Sequence, residues 1–177
     1  MKRTFEGVTI ECRQGDIAGQ SDMQAVVNAA NAQLRTGGGV AGAIHRAAGP
    51  GLEEECRPLA PIRPGEAVMT GGHNLPNEYV IHCLGPVHGQ DEPSDELLAS
   101  CYRNALKRAE EKEVQSVAFC AISTGVFGYP LEAAARVAFK TIFDCVGSLK
   151  HIKNIRFVLY SDADLKVHGK VLKELAD

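Results

Sequence analysis

The sequence predicts an α/β sandwich built around a mixed sheet, and three observations carry that prediction. Short apolar or alternating runs interleave with longer stretches of helical periodicity, the pattern of strands joined by crossover helices. An N-terminal strand, or strand pair, has no helix behind it, so part of the sheet must pair antiparallel. Loops rich in glycine and small polar residues follow three of the strands, at the edge where open α/β sheets hold their ligands.

Six segments have strand character: Val8 to Arg13, Ala25 to Asn28, Glu66 to Thr70, Tyr79 to Leu84, Ser116 to Ile122 and Ile155 to Tyr160. Helical periodicity covers Gly39 to Ala48, Gly51 to Ala60, Ser94 to Glu113, Leu131 to Val146 and Ala163 to Leu175. Ser94 is the expected N-cap of its helix, with acidic residues in the first turn, and Asp162 the expected cap of the last one. No internal repeat, charge block or low-complexity linker interrupts the chain, so residues 1–177 are expected to form one domain.

With 45% hydrophobic and 23% charged residues, the composition is that of a globular protein with a substantial core. A net charge of −3 gives no broad cationic surface, which argues against a nucleic-acid partner. No apolar run approaches the length of a membrane span and no secretory h-region opens the chain, so a cytoplasmic location is expected. The six cysteines are widely spaced without a C-x-x-C pair, and Cys83, Cys120 and Cys145 sit in apolar segments where a thiol behaves as a small hydrophobe. Neither a metal site nor a disulfide framework is expected, and no cofactor is implied.

The chemistry concentrates in three loops. "QGDI" follows the first predicted strand, "NAANAQLRTGGGV" the second and "STGVFGYP" the fifth. Residues Gly37 to Gly42 satisfy G-x-G-x-x-G, yet a dinucleotide fingerprint follows its strand at once, and here eight residues intervene. The phosphate logic survives without the fold label: Gly38, Gly39 and the start of the following helix can turn N–H groups and a positive dipole end toward a diphosphate. The same glycines also suit an ordinary surface turn.

"AISTGVFGYP" resembles a degenerate nucleophile elbow with Ser123 between strand and helix, which would need partners such as Asp144 and His168. The alternative is a second phosphate cradle made by Ser123, Thr124, Gly125, Val126 and Gly128, with Phe127 offering an aromatic face. Asn28 and Asn31 are turn-forming residues whose carboxamides suit ribose hydroxyls, and Asp16 suits an exocyclic amine. His45, on the glycine-opened helix, is either a packed residue or an acid/base group. His73, His82, His88, His151 and His168 share no usable spacing.

Taken together, "QGDI", "VVNAAN", "GGGVAGAIHRAAG" and "ISTGVFGYPLEAAA" resemble the macrodomains, the ADP-ribose-binding fold, and most closely the MacroD-type, O-acetyl-ADP-ribose deacetylase-like branch. The resemblance spans nearly the whole chain, with "EEC" and "YVIHCLGP" in their expected places. It implies a three-layer α/β/α sandwich with a mixed, mostly parallel central sheet. It also implies that Asp16 and the Ile17 backbone meet the adenine, with Tyr160 at its border, and that Asn28 and Asn31 face the distal ribose. Gly38, Gly39 and Val40 would hold one side of the diphosphate, and Ser123, Thr124, Gly125, Val126 and Phe127 the other.

The partners so implied are ADP-ribose, ADP-ribosylated proteins and O-acetyl-ADP-ribose, and the implied reaction is hydrolysis of ADP-ribosyl esters. One position departs from the branch. Its hydrolases commonly carry aspartate in "GGGVDGAIH", where this chain has Ala41, which can neither accept a proton nor orient water. Asn31 and His45 are then the remaining candidate catalytic residues.

Overall fold

The computed structural model describes all 177 residues and contains one seven-stranded sheet. In chain order the strands are β1 (Lys2–Phe5), β2 (Val8–Gln14), β3 (Ala25–Ala29), β4 (Ala67–Gly71), β5 (Tyr79–Cys83), β6 (Ser116–Phe119) and β7 (Asn154–Leu159). The helices are α1 (Gly39–Ala48), α2 (Pro50–Cys56), α3 (Ser94–Glu111), α4 (Leu131–Val146) and α5 (Asp162–Ala176), with short 3₁₀ turns at Ile17–Gly19 and Arg57–Leu59. The spatial strand order is β1-β2-β7-β6-β3-β5-β4; the five inner strands run parallel, and both edges are antiparallel. This is not the strand order of a dinucleotide-binding fold, which removes that reading of the glycines.

Alternation along the inner strands sorts their side chains into two cores. Ala25 and Val27 of β3, Val117 and Phe119 of β6, and Ile155 and Phe157 of β7 join α3, α4 and α5 on one face. Val26, Ala118, Val80 and Val158 join α1 and α2 on the other, giving three layers. The strands are apolar on both faces because both faces are covered. The chain leaves β3 for the α1 face and β6, its neighbour, for the α4 face. Adjacent strands that send their connections to opposite faces open a crevice between them at the carboxyl edge.

Several boundaries shift. β1 has an almost wholly exposed side-chain pattern, so no periodicity announces it; its pairing with β2 is carried by backbone hydrogen bonds. The apolar run predicted as strand through Ile122 leaves the sheet after Phe119, and Ile122 stays buried as loop, its N–H facing the Tyr102 hydroxyl. Helix α2 stops at Cys56 and tightens into a 3₁₀ turn, where Pro58 has no N–H to donate. Ser94 is the first helical residue rather than the cap: Pro93 takes that position, and the Ser94 hydroxyl donates to the Asp91 carbonyl. Ser161, not Asp162, caps α5, accepting from the Asp164 N–H.

Candidate functional site

Three loops meet at the crevice, and each offers backbone donors that the chain itself does not use. In the first, after β2, Asp16 accepts from the Ala18 N–H at 2.9 Å and closes the 3₁₀ turn. That leaves the Ile17 N–H without a partner, while the Ile17 side chain is buried. The turn is anchored from below: the Gln20 amide donates to the Asp16 carbonyl at 2.8 Å, and buried Arg156 donates to Gln20 at 2.9 Å while gripping Asp22 with both terminal nitrogens at 2.7 Å. The Arg156 guanidinium holds the Asp22 carboxyl down to about 2. Tyr160, just past β7, is 90% exposed at the same edge.

The second loop runs from Asn31 to α1. The Asn31 carboxamide accepts from the Arg35 N–H at 3.0 Å and donates to the Arg35 carbonyl at 2.8 Å, so it closes the loop on itself. Gly38 is the helix N-cap in an extended conformation, and Gly39 has φ +55°, the left-handed region that favours glycine. The N–H groups of Gly38, Gly39, Val40 and Ala41 have no partner within the chain, as the first turn of a helix requires. A side-chain carbon at Gly42 would collide with the Gly37 carbonyl oxygen; glycine there lets α1 seat directly against its own loop.

The third loop follows β6. Ser123 is buried at φ +67°, and its hydroxyl donates to the Pro86 carbonyl at 2.8 Å. The Thr124 hydroxyl donates to the Ala121 carbonyl at 2.9 Å. Both hydroxyls are engaged within the chain. The nucleophile-elbow alternative fails: His168 is buried against Phe139 and Phe157 with Nδ1 on the Asp164 carbonyl, and Asp144 is exposed on α4. What remains free is main chain, the N–H groups of Gly125, Val126 and Phe127. Val126 is fully exposed at the tip, and Phe127 turns back onto the α1-side core. Gly125 does not need a positive φ; a side chain there would project into open space.

Two predicted residues lie elsewhere than expected. Asn28 is 1% exposed within β3 and its amide donates to His82 Nδ1 at 3.1 Å, so it does not line the crevice as Asn31 does. His45 is also buried, on the inner face of α1 with its ring 6.5 Å from that of His82. Together with Thr70 and Cys56 these residues form a polar cluster that sequence spacing did not reveal. The only signal was a histidine inside the apolar run "YVIHCL".

The tautomer of His82 follows from its partners. Nδ1 accepts from Asn28, so Nε2 carries the proton and donates to Thr70 Oγ1 at 2.9 Å, with Cys56 Sγ 3.7 Å away. Burial, then the neighbouring His45, pushes the His82 imidazolium down to about 3, and burial lowers His45 as well against the opposing pull of Glu53. Both rings are neutral at pH 7. Asn28 Oδ1 and His45 Nε2 are buried without a partner.

The arrangement suits an elongated anion laid across the β3–β6 crevice, held by two rows of N–H groups and the N-terminal end of α1. No cluster of three or more His, Cys, Asp or Glu side chains could hold a metal ion, and no helix is long and apolar enough to cross a membrane.

Known proteins share this architecture. The Macro domain family model matches residues 27–138. A macro domain-containing protein of Chlorobaculum tepidum is 48% identical over 168 residues, spanning 94% of this chain and 97% of the relative. The human ADP-ribose glycohydrolase MACROD2 is 44% identical over 164 residues, which cover 91% of this chain but 38% of that protein. Among solved structures, the Oceanobacillus iheyensis macrodomain with ADP superimposes with a TM-score of 0.94 at 39% identity, covering 99% of this chain and 95% of that one. The Trypanosoma brucei macrodomain in complex with ADP-ribose gives a TM-score of 0.83 at 36% identity, over 91% and 68% of the two chains.

Proposed function

This chain belongs to the macrodomain family, and on that premise we propose that its crevice binds ADP-ribose and hydrolyses ADP-ribosyl esters weakly. The observation that carries the reading is the set of unpaired N–H groups on Gly38 to Ala41 and on Gly125 to Phe127, in the segments that follow the adjacent strands β3 and β6. A diphosphate has the charge and length to bridge both rows. The Ile17 N–H and the free oxygen of the Asp16 carboxylate suit the adenine edge, and Tyr160 suits its face. Asn31 and Phe127 flank the opposite end, where the distal ribose belongs. The homology to an ADP-ribose glycohydrolase supports the hydrolytic part.

Hydrolysis either transfers the ester's acyl group to water, with the ribose alcohol leaving, or transfers the glycosyl group to water, with the carboxylate leaving. The substrates are mono-ADP-ribosylated acidic side chains or O-acetyl-ADP-ribose. Ala41 supplies no base to activate that water, and His45 is neutral but buried against the sheet. Activation then falls to the ligand's own phosphate oxygens, with the ribose fixed beside Asn31. Those same two residues favour a second reading, a module that retains ADP-ribose without turning it over.

Calorimetric titration tests the binding. ADP-ribose should bind without added metal and more tightly than AMP, which occupies the adenosine end alone. Equal affinities would refute the diphosphate bridge. Turnover of an ADP-ribosylated acidic peptide, measured alongside, separates the two readings.

A further inference from the structure

Four arginines of this chain, Arg35, Arg46, Arg57 and Arg63, make no salt bridge, whereas Arg3, Arg13, Arg103, Arg108, Arg136 and Arg156 each do. Three of the four gather in one place. Arg35 and Arg57 line a cavity of about 370 Å³ with Gln33, Leu34 and Glu53. Arg46 and Thr36 line an adjoining cavity of about 320 Å³, and Glu53 is the wall shared by both.

We propose that this face docks an acidic peptide segment, the stretch of a modified protein that flanks its ADP-ribosylated residue. The proposal rests on the ADP-ribose reading above. Location supports it first: two hydrogen bonds join Arg35 to Asn31, so the cavity begins where the distal ribose, and with it the modified side chain, would leave the crevice. Charge supports it second. Three arginines and one glutamate line the two cavities, on a chain whose net charge is −3. An acidic partner therefore meets attraction on this face against a background of repulsion.

Geometry supports the choice of carboxylate. Exposed guanidiniums at the rim of a concavity offer forked donors that match carboxylates two bonds at a time. Glu53, which accepts only a long bond of 3.4 Å from the Thr36 N–H, works against such a partner and limits its affinity.

The test uses ADP-ribose joined by a hydrolysis-resistant linkage to a peptide with aspartate and glutamate flanks, the same conjugate with lysine flanks, and free ADP-ribose. Wild-type protein should prefer the acidic conjugate by roughly tenfold at low salt, with the preference shrinking as salt rises. Arg57→Glu, which lies outside the crevice, should cost the acidic conjugate roughly two- to fivefold, and Arg46→Glu combined with it should reverse the preference. Both should leave free ADP-ribose affinity unchanged, and Glu53→Gln should tighten the acidic conjugate. Equal binding of the two conjugates, or a preference that survives both charge reversals, overturns the docking surface. So does an oligonucleotide that displaces the acidic conjugate better than an unmodified acidic peptide does. Failure of free ADP-ribose to bind wild-type protein would instead overturn the proposed function.

Discussion

The buried His82 predicts an acid-sensitive fold, and the size of the effect can be worked from its position. Burial depresses the imidazolium from 6.5 to about 3, so across that window the unfolded chain binds a proton that the folded chain excludes. Stability therefore falls as pH falls. Integrated between pH 7 and pH 5, one such group removes about 2 kcal/mol, a sizeable part of the roughly 5–15 kcal/mol that holds a domain folded. The depressed carboxyls of Glu11, Asp22, Glu110 and Glu132 stabilise the fold above their unfolded values, the highest being 4.5. Their contribution is lost only below that, so the interval from pH 7 to 5 isolates the histidines. His45 and His168, both lowered by burial, add to the same trend.

Urea unfolding followed by far-UV circular dichroism suits a chain without tryptophan. His82→Gln keeps a donor and an acceptor for Asn28 and Thr70 but cannot titrate. Its loss of stability from pH 7 to 5 should be smaller than the wild-type loss by about 2 kcal/mol, whatever its stability at pH 7. An unchanged loss would show that His82 is protonated without penalty, and the neutral hydrogen-bonded cluster would be wrong.

Other outcomes follow from the crevice. Ala41→Asp should raise hydrolysis of an ester-linked ADP-ribose, since general-base help is typically worth about 10²–10⁴-fold, and a fast wild-type rate that the carboxylate does not raise would refute its role. Gly42→Ala should weaken ADP-ribose binding in calorimetry by tenfold or more, because its added carbon displaces the Gly37 carbonyl, at an overpacking cost of about 1–3 kcal/mol. Ser123→Ala should lower thermal stability by about 1 kcal/mol through the lost bond to Pro86 and leave ADP-ribose affinity nearly unchanged; a large loss of affinity would return the hydroxyl to the binding site. Gly125→Glu should abolish binding, by steric and charge conflict in the crevice, without unfolding the chain.

Helices α1 and α4 were legible to the residue because their starts carry local chemistry: a glycine run before one, and Pro130 before the other. Strand β1 was not legible because an exposed edge strand has no burial pattern to impose on its sequence. The caps at Ser94 and Asp162 each slipped by one residue: Pro93 takes the first with no side-chain bond, and Ser161, a second capping side chain beside Asp162, takes the other. The crevice itself was visible as three loops after three strands. The roles of Asn28, His45 and Ser123 within it were not, because what decides them is a partner far along the chain, His82 or Pro86. Residue type states what a side chain can bond, and only register and packing decide whether it faces the ligand or the interior.

The main-chain character of the donors bears on how such a protein can diverge. A carboxylate or a hydroxyl that serves catalysis can disappear with one nucleotide change. The N–H groups of Gly38 to Ala41 and of Gly125 to Phe127 belong to the backbone and are inherited with the fold. Recognition is thereby insulated from most side-chain drift, while reactivity remains exposed to it. If Ala41→Asp raises hydrolysis as expected above, one position suffices to change reactivity on a scaffold whose backbone donors stay the same.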